Sequence, residues 1–372
     1  MSDNLTKSAL GTLFYNRSKY PAWHNEGVND PNDHTAEGAL RRVCVAAGQP
    51  EPFGIIKQPL MVMLPGSDTY EPSGYYSLVR EPAPGHMLHE IIGTPVSEDF
   101  ESVAPLDIAR LCDTNIVTPD LKPVPVETLG LLGKGERMFV TYKLPSYDVK
   151  GDEVAMYLIY DSPFTNGISH GGYTSGVRVV CQNTLNAALR NTVQQFTVTH
   201  TKGASEMIAR WLGEMYQTSL AAAALLAEAY NVLASTKVNK TQVKWIIEGA
   251  YPMPAEPREN SASARLAMDV RLASYEYWKN RTLTIREMAT DIYNGAGVGM
   301  DTPAVKGTAF GVYNAVAELE THARAHRASA VGSLINGSRA QTIRNTFTLA
   351  MHAGDYKTAD ARELVAVPVN AR

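Results

Sequence analysis

Cysteine is scarce in this chain. Of 372 residues only Cys44, Cys112 and Cys181 carry a thiol. An odd number at wide spacing excludes a disulfide framework and a short-spaced zinc-ligand set, and a reducing compartment is expected. Long apolar runs are missing as well. The longest, Leu220 to Ala227, is far short of the roughly 20 residues that span a bilayer. The opening Met-Ser-Asp-Asn-Leu-Thr-Lys has neither the basic nor the apolar region of a secretory signal. A cytoplasmic location and no membrane partner are therefore expected. Neither sign of charge is in excess: 34 Lys and Arg stand against 38 Asp and Glu, a net charge of -4. That excludes a wholesale electrostatic nucleic-acid binder, and any such contact has to come from a local basic groove. No phosphate-binding Gly-Lys-Ser/Thr loop, no dinucleotide fingerprint and no His-Glu-x-x-His occurs. No cofactor and no metal is expected, and no signature calls for an enzyme.

What is present is material for a core. The hydrophobic fraction is 44% and the charged fraction 19%, the balance of a folded chain rather than a disordered one. The first forty residues are polar and irregular up to His34. Thr35 then reads as the N-cap of a short helix that ends by Gly48, before Pro50 and Pro52. Phe53 to Leu64, Tyr75 to Val79 and Met87 to Ile92 read as strands between Gly and Pro punctuation. Phe100 to Asp113 carries a helical period through Val103, Leu106, Ile108 and Leu111. Thr128 to Gly133 and Arg137 to Leu144 form a hairpin signature around Gly133-Lys134-Gly135-Glu136. Val154 to Tyr160 and Gly176 to Cys181 are further strands, separated by a Gly-, Ser- and Asn-rich loop from Ser162 to Ser175. A helix is expected from about Asn183.

Beyond about residue 205 the strand patterns stop. Helices are expected over Ala204 to Ser235, Thr241 to Ala250, Ser261 to Asn280, Thr284 to Asn294, Gly307 to Ala330 and Arg339 to Met351. The fold class is α+β, with a mainly antiparallel sheet and flanking helices in the N-terminal half and an all-helical C-terminal half. The units expected are an α+β sheet domain over 1–205, a helical domain packed on it over 206–354, and a surface tail over 355–372.

Several stretches carry a textual likeness. They are Trp23-His24-Asn25-Glu26-Gly27 with Thr35-Ala36-Glu37, the Gly-rich run Gly130 to Arg137, the run Val177-Arg178-Val179-Val180-Cys181-Gln182-Asn183-Thr184-Leu185, and Gly307-Thr308-Ala309 with Asn314, Glu318 and His322. In these the chain resembles the phage- and plasmid-borne family known as domain of unknown function 932. The likeness spans residues 23 to 322. Members often carry His-Asp-Gly before the Arg-Val-Val-Cys strand, where this chain has His170-Gly171-Gly172. The resemblance implies a mobile-element setting in a bacterial host cell and no particular activity.

Two groups of residues could do chemistry. Lys134, Arg137 and Lys143 lie on one hairpin near Phe139 and Tyr142, and Arg324, His326, Arg327, Arg339 and Arg344 follow downstream. Cations interleaved with aromatics suit single-stranded nucleic acid, and they also suit a solvated hairpin tip. Arg178 could hold a phosphate bidentately or pair with a carboxylate. Asn183 and Thr184 could offer a helix N-terminus to an anion or simply cap that helix. The second group is Asn314, Glu318 and His322 at i, i+4 and i+8, one stripe of a regular helix; His86, His89 and Glu90 form a smaller cluster. Either is a polar brace or the lining of a pocket.

The favoured reading is a single-stranded DNA binding protein, a strand-annealing or recombination accessory factor in its narrower form, acting as a homo-oligomer. The order helix, antiparallel sheet, helix is loosely that of ring-forming annealing proteins. The alternatives are an enzyme or binding protein for a nucleotide or other phosphate-bearing small molecule, and an adaptor aimed at a host protein.

Overall fold

The computed structural model describes residues 7–8, 11–17, 27–49, 51–66, 68–81, 90–167, 169–178, 183–185, 196–258, 268–323 and 338–365. The fold is α+β with a mixed central sheet and flanking helices. Short strands β1 (Lys7–Ser8) and β2 (Gly11–Thr12) pair with each other. The central sheet runs β13-β12-β11-β9-β8-β3-β4, with β10 also on β11 and β14 also on β12. Its strands are β3 (Phe14–Asn16), β4 (Val28–Asn29), β8 (Val126–Leu132), β9 (Arg137–Lys143), β10 (Tyr147–Val149), β11 (Asp152–Pro163), β12 (His170–Arg178), β13 (Asn183–Leu185) and β14 (Phe196–Val198). All its pairings are antiparallel except β3 with β4. A second, three-stranded antiparallel sheet holds β5 (Gly54–Met63), β6 (Tyr70–Glu81) and β7 (Glu90–Val96).

The central strands are buried on both faces. Every residue of β8 is buried, and β11 exposes only Glu153. Their side chains alternate between two covered faces, so a near-continuous apolar run results where one wet face would demand polar alternation. Helices α1 (Ala36–Ala46) and α2 (Pro105–Asn115) pack together, α1 against β3 and β8 and α2 against the helix that starts at Ala204. Thr35 caps α1 as expected, its hydroxyl accepting from Gly38 N. The Asp113 carboxylate of α2 accepts from the next donors, Ala36 N at 2.6 Å and Glu37 N at 2.9 Å. The helix expected from Phe100 starts instead at Pro105. A proline has no N–H to give and clashes with a preceding turn, so it belongs at the first helical position.

Helix α3 spans Ala204–Ser235, the range that its apolar period predicts. It lies on β10, β11 and β12. Helices α4 (Lys240–Ala250), α5 (Met268–Asp291), α6 (Ala309–Glu318), α7 (Ser338–Met351) and α8 (Ala361–Val365) follow. One apolar core runs from Phe14, Phe139 and Tyr160 in the sheet to Tyr230, Phe310, Tyr313 and Phe347 in the helices.

The structure departs from three expectations. The helices expected over Ser261 to Asn280 and Thr284 to Asn294 form, within the described residues, one helix α5. Nothing in Arg281-Thr282-Leu283 breaks it, and the Thr282 and Thr284 hydroxyls donate back to the Trp278 and Asn280 carbonyls. The expected loop from Ser162 to Ser175 is short, because His170 already opens β12. The tail expected beyond Asp355 as a surface extension places Ala361, Leu364 and Val365 against the core.

Candidate functional site

The Gly133–Glu136 turn has positive φ at Gly133 (66°) and Gly135 (88°). A Cβ on Gly135 would lie 2.5 Å from the Phe53 ring. The hairpin tip is therefore pressed onto the base of the small sheet. There Lys134 Nζ sits 3.1 Å from Glu90, Arg80 donates to the same carboxylate at 2.7 Å, and Arg80 also donates to the Lys134 carbonyl. Glu90 is thereby committed to two cations, while His86 and His89 lie outside the described residues. Arg137 forks onto Asp161, Nε to Oδ1 and Nη2 to Oδ2 both at 2.5 Å. Its side chain is 15% exposed and that of Asp161 is 2%. Lys143 stays exposed at the far end of β9. Phe139 and Tyr142 are fully buried, so no base stacks on them. Of the expected cation–aromatic surface on this hairpin, only Lys143 remains free.

The expected helix at Asn183 is a strand. Asn183 pairs with Arg178 and Thr184 with Val177 across a β12–β13 hairpin. Backbone groups taken up by a ladder offer no helix-terminus field to an anion, so that reading of Asn183 and Thr184 falls. Val179 to Gln182, with Cys181, lie outside the described residues.

Helix α6 does come alongside β13, but the Asn314, Glu318, His322 stripe does not survive. Past Glu318 the helix widens into a π turn, Leu319–Ala323, whose i→i+5 hydrogen bonds break the i, i+4, i+8 register. Asn314 is buried, its Nδ2 donating to Phe310 O at 2.8 Å. Glu318 accepts from Val298 N at 3.1 and 3.2 Å, and His322 points to solvent. The buried acid of this stretch is Glu320, which accepts from the Tyr251 hydroxyl at 2.7 Å. Arg339 donates to the Glu320 carbonyl; Arg324, His326 and Arg327 lie outside the described residues.

Two features take on their setting only in the structure, and the second was not singled out in the sequence. The first is Arg344 on α7, one of the downstream cations of the sequence, half-buried where Tyr173 and Tyr313 both act on its charge. Desolvation holds its guanidinium below the usual range, the two tyrosines pulling the other way. Among the described residues its hydrogen-bond partner is the Gln341 amide oxygen at 3.1 Å and no carboxylate meets it. The Tyr173 hydroxyl is buried with no hydrogen-bond partner among the described residues. By register Tyr173 shares its sheet face with Asp161 and Arg137. The second feature is the run Tyr275-Glu276-Tyr277-Trp278-Lys279-Asn280-Arg281 on α5. Tyr277 and Trp278 are 57% and 51% exposed. Arg281 lies over the Trp278 ring at 5.6 Å and donates to the Tyr277 hydroxyl, and Lys279 lies over Tyr275 at 5.5 Å. Three aromatics and two cations within seven residues were the available signal.

The His170 ring lies wholly inside. Its Nδ1 is 3.1 Å from Ser162 Oγ, its ring centroid is 4.5 Å from that of His200, and its Nε2 meets no partner among the described residues. Burial first, then the neighbouring His200, hold its pKa at about 3, so it is neutral at ordinary pH. The stretch Gly167-Ile168-Ser169-His170-Gly171 has the spacing of a hydrolase elbow, but it joins strand to strand where an elbow joins strand to helix. Burial pushes the Cys44 and Cys112 thiols to about 12, which removes them as nucleophiles. Among the described residues no three His, Cys, Asp or Glu side chains could hold a metal, and no helix is long and apolar enough to cross a membrane.

No curated protein and no solved structure matches the chain. Residues 94–347 match the family described as Domain of unknown function (DUF932). That stretch holds β9, β12, β13, α3, α5 and α6 and is more than half of the chain, which therefore belongs to the domain of unknown function 932 family.

Proposed function

We propose that the chain binds single-stranded nucleic acid, with the exposed face of α5 as its contact surface. The observation that carries this is Trp278 and Tyr277 in solvent with Arg281 over the indole, a guanidinium whose described neighbours include no carboxylate. An exposed ring beside an unpaired cation offers a base a stacking platform and its phosphate a counter-charge, worth about 1–3 kcal/mol per stacked base. The net charge of -4 restricts such binding to a local strip. In its narrower form this is a strand-annealing or recombination accessory role in a phage or plasmid setting.

The test is fluorescence anisotropy of labelled single- and double-stranded oligonucleotides over a salt series, together with quenching of Trp278. We expect single-strand binding that weakens steeply with salt and a loss of roughly tenfold in affinity for Trp278→Ala or Arg281→Ala. Absence of binding at low salt, or undiminished binding by both variants, sinks the reading.

A second reading rests on Arg344. A half-buried guanidinium without a carboxylate, beside the unpartnered Tyr173 hydroxyl, suits one anionic group of a phosphate-bearing small molecule. Calorimetry with pyrophosphate and nucleotides on the wild type and Arg344→Gln separates the two readings. Here Arg344→Gln abolishes binding and Trp278→Ala leaves it intact.

A further inference from the structure

The small sheet is anchored only at its base. There Leu78, Ile92, Val96 and Phe100 form a separate core, joined by Ile55 and Tyr76. Strand β7 pairs with β6 only from Tyr76 to Arg80. Beyond that, Met61–Met63 and Tyr70–Pro72 continue as a two-stranded ribbon. At about 3.3 Å per residue the arm extends roughly 20 Å past its support.

The ribbon is apolar and wet. Met61 is 43% exposed, Met63 59%, Val62 38%, Leu64 46%, Tyr70 66% and Tyr75 57%. Met61 and Met63 face one side and Val62 the other, so neither face is covered. The outer edge of β5 has no partner strand among the described residues. An isolated two-strand ribbon is marginal in water, and an apolar patch with an open edge marks an interaction surface.

Charge narrows the occupant. From Gln58 to Val79 there is no Lys or Arg, and Asp68 and Glu71 give the tip two acids. Neither meets a cation among the described residues. A polyanion such as nucleic acid or an acidic bilayer is repelled there. The complementary charge stands at the base of the same arm. Lys57 is exposed, and its ammonium donates to the Glu98 and Phe100 carbonyls and to no carboxylate.

We infer that the arm docks on the arm of a second copy of this chain, the two running antiparallel about a two-fold axis. In that contact each acidic tip meets the other copy's Lys57, and the two apolar ribbons cover one another. A two-fold contact is self-complementary by construction, since every pair it makes is made twice. The inference rests on the arm alone and not on the nucleic-acid reading.

The experiment is sedimentation velocity of the full chain, free of nucleic acid, over a concentration series up to high micromolar. Wild type is expected to sediment as a dimer. Met61→Asp with Met63→Asp is expected to halve the sedimenting mass while far-UV circular dichroism and thermal midpoint stay unchanged. Mixing a Lys57→Cys chain with an Asp68→Cys chain under mild oxidation is expected to give a disulfide between the copies, in excess over either chain alone. A wild type that stays monomeric overturns the proposal, even if it captures another protein. So does a Met61→Asp, Met63→Asp chain that keeps the dimer, or a mixture no richer in cross-link than its separate components.

Discussion

Glu101 ties the loop before α2 to the first turn of α3, across about a hundred residues of chain. Its carboxylate accepts from Gly203 N at 2.8 Å, Ala204 N at 3.2 Å, Ser205 N at 3.2 Å and the Ser205 hydroxyl at 2.6 Å. Gly203, at φ +86°, offers α3 no capping side chain of its own. The cap of a 32-residue helix is therefore supplied from elsewhere. Losing a cap costs about 0.5–2 kcal/mol, and the charged acceptor at a helix N-terminus adds about 0.3–1 kcal/mol. Glu101→Ala should cost about 1–3 kcal/mol. With an unfolding entropy of about 2.1 cal/mol/K per residue, a chain of 372 residues should lose about 1–4 °C in thermal midpoint.

The pH dependence supplies the sharper check. Burial pushes the Glu101 carboxyl up, but its four donors outweigh that and hold its pKa below the ordinary range. A group depressed in the folded state adds stability above its unfolded pKa and loses it as pH falls through its folded one. Calorimetry from pH 7 downward should show the gap between wild type and Glu101→Ala narrowing as pH drops below the ordinary carboxylate range. A gap that is absent at pH 7, or constant into acid, refutes the capping argument.

Two further outcomes are expected. Asp161→Asn should cost about 3–5 kcal/mol in denaturant unfolding, because it strands the Arg137 guanidinium, whereas Arg137→Met with Asp161→Leu should cost clearly less; equal costs refute the pairing argument. The His170 ring, held at about 3 by burial and His200, should keep the NMR signature of neutral imidazole from pH 8 down to about pH 4, and a midpoint near 6.5 refutes its burial. By the same sign rule, a histidine depressed in the folded state withdraws stability as pH falls from about 6.5 toward its folded pKa.

Local physics decided much of this fold. An apolar helical period without proline carries α3 from Ala204 to Ser235, across Gly213. Thr35 capped α1, and the Gly133–Glu136 turn between alternating runs made the β8–β9 hairpin. Each of these follows from residues within a turn or two of one another, which is why the α+β class was legible in the sequence. The family resemblance, too, lay in the text of the chain.

What needed the tertiary structure was everything set by distant partners. Whether Asn183 starts a helix or a strand depended on Arg178 and Val177 being free to pair with it. Whether Arg137 could reach a phosphate depended on Asp161, twenty-four residues away, and whether Lys134 could depended on Glu90. Phe139 and Tyr142 look like stacking surfaces in the text and lie buried because the sheet is covered on both faces, while Tyr277 and Trp278 stand in solvent. Burial and charge pairing are properties of the packed chain, and no window of sequence contains them.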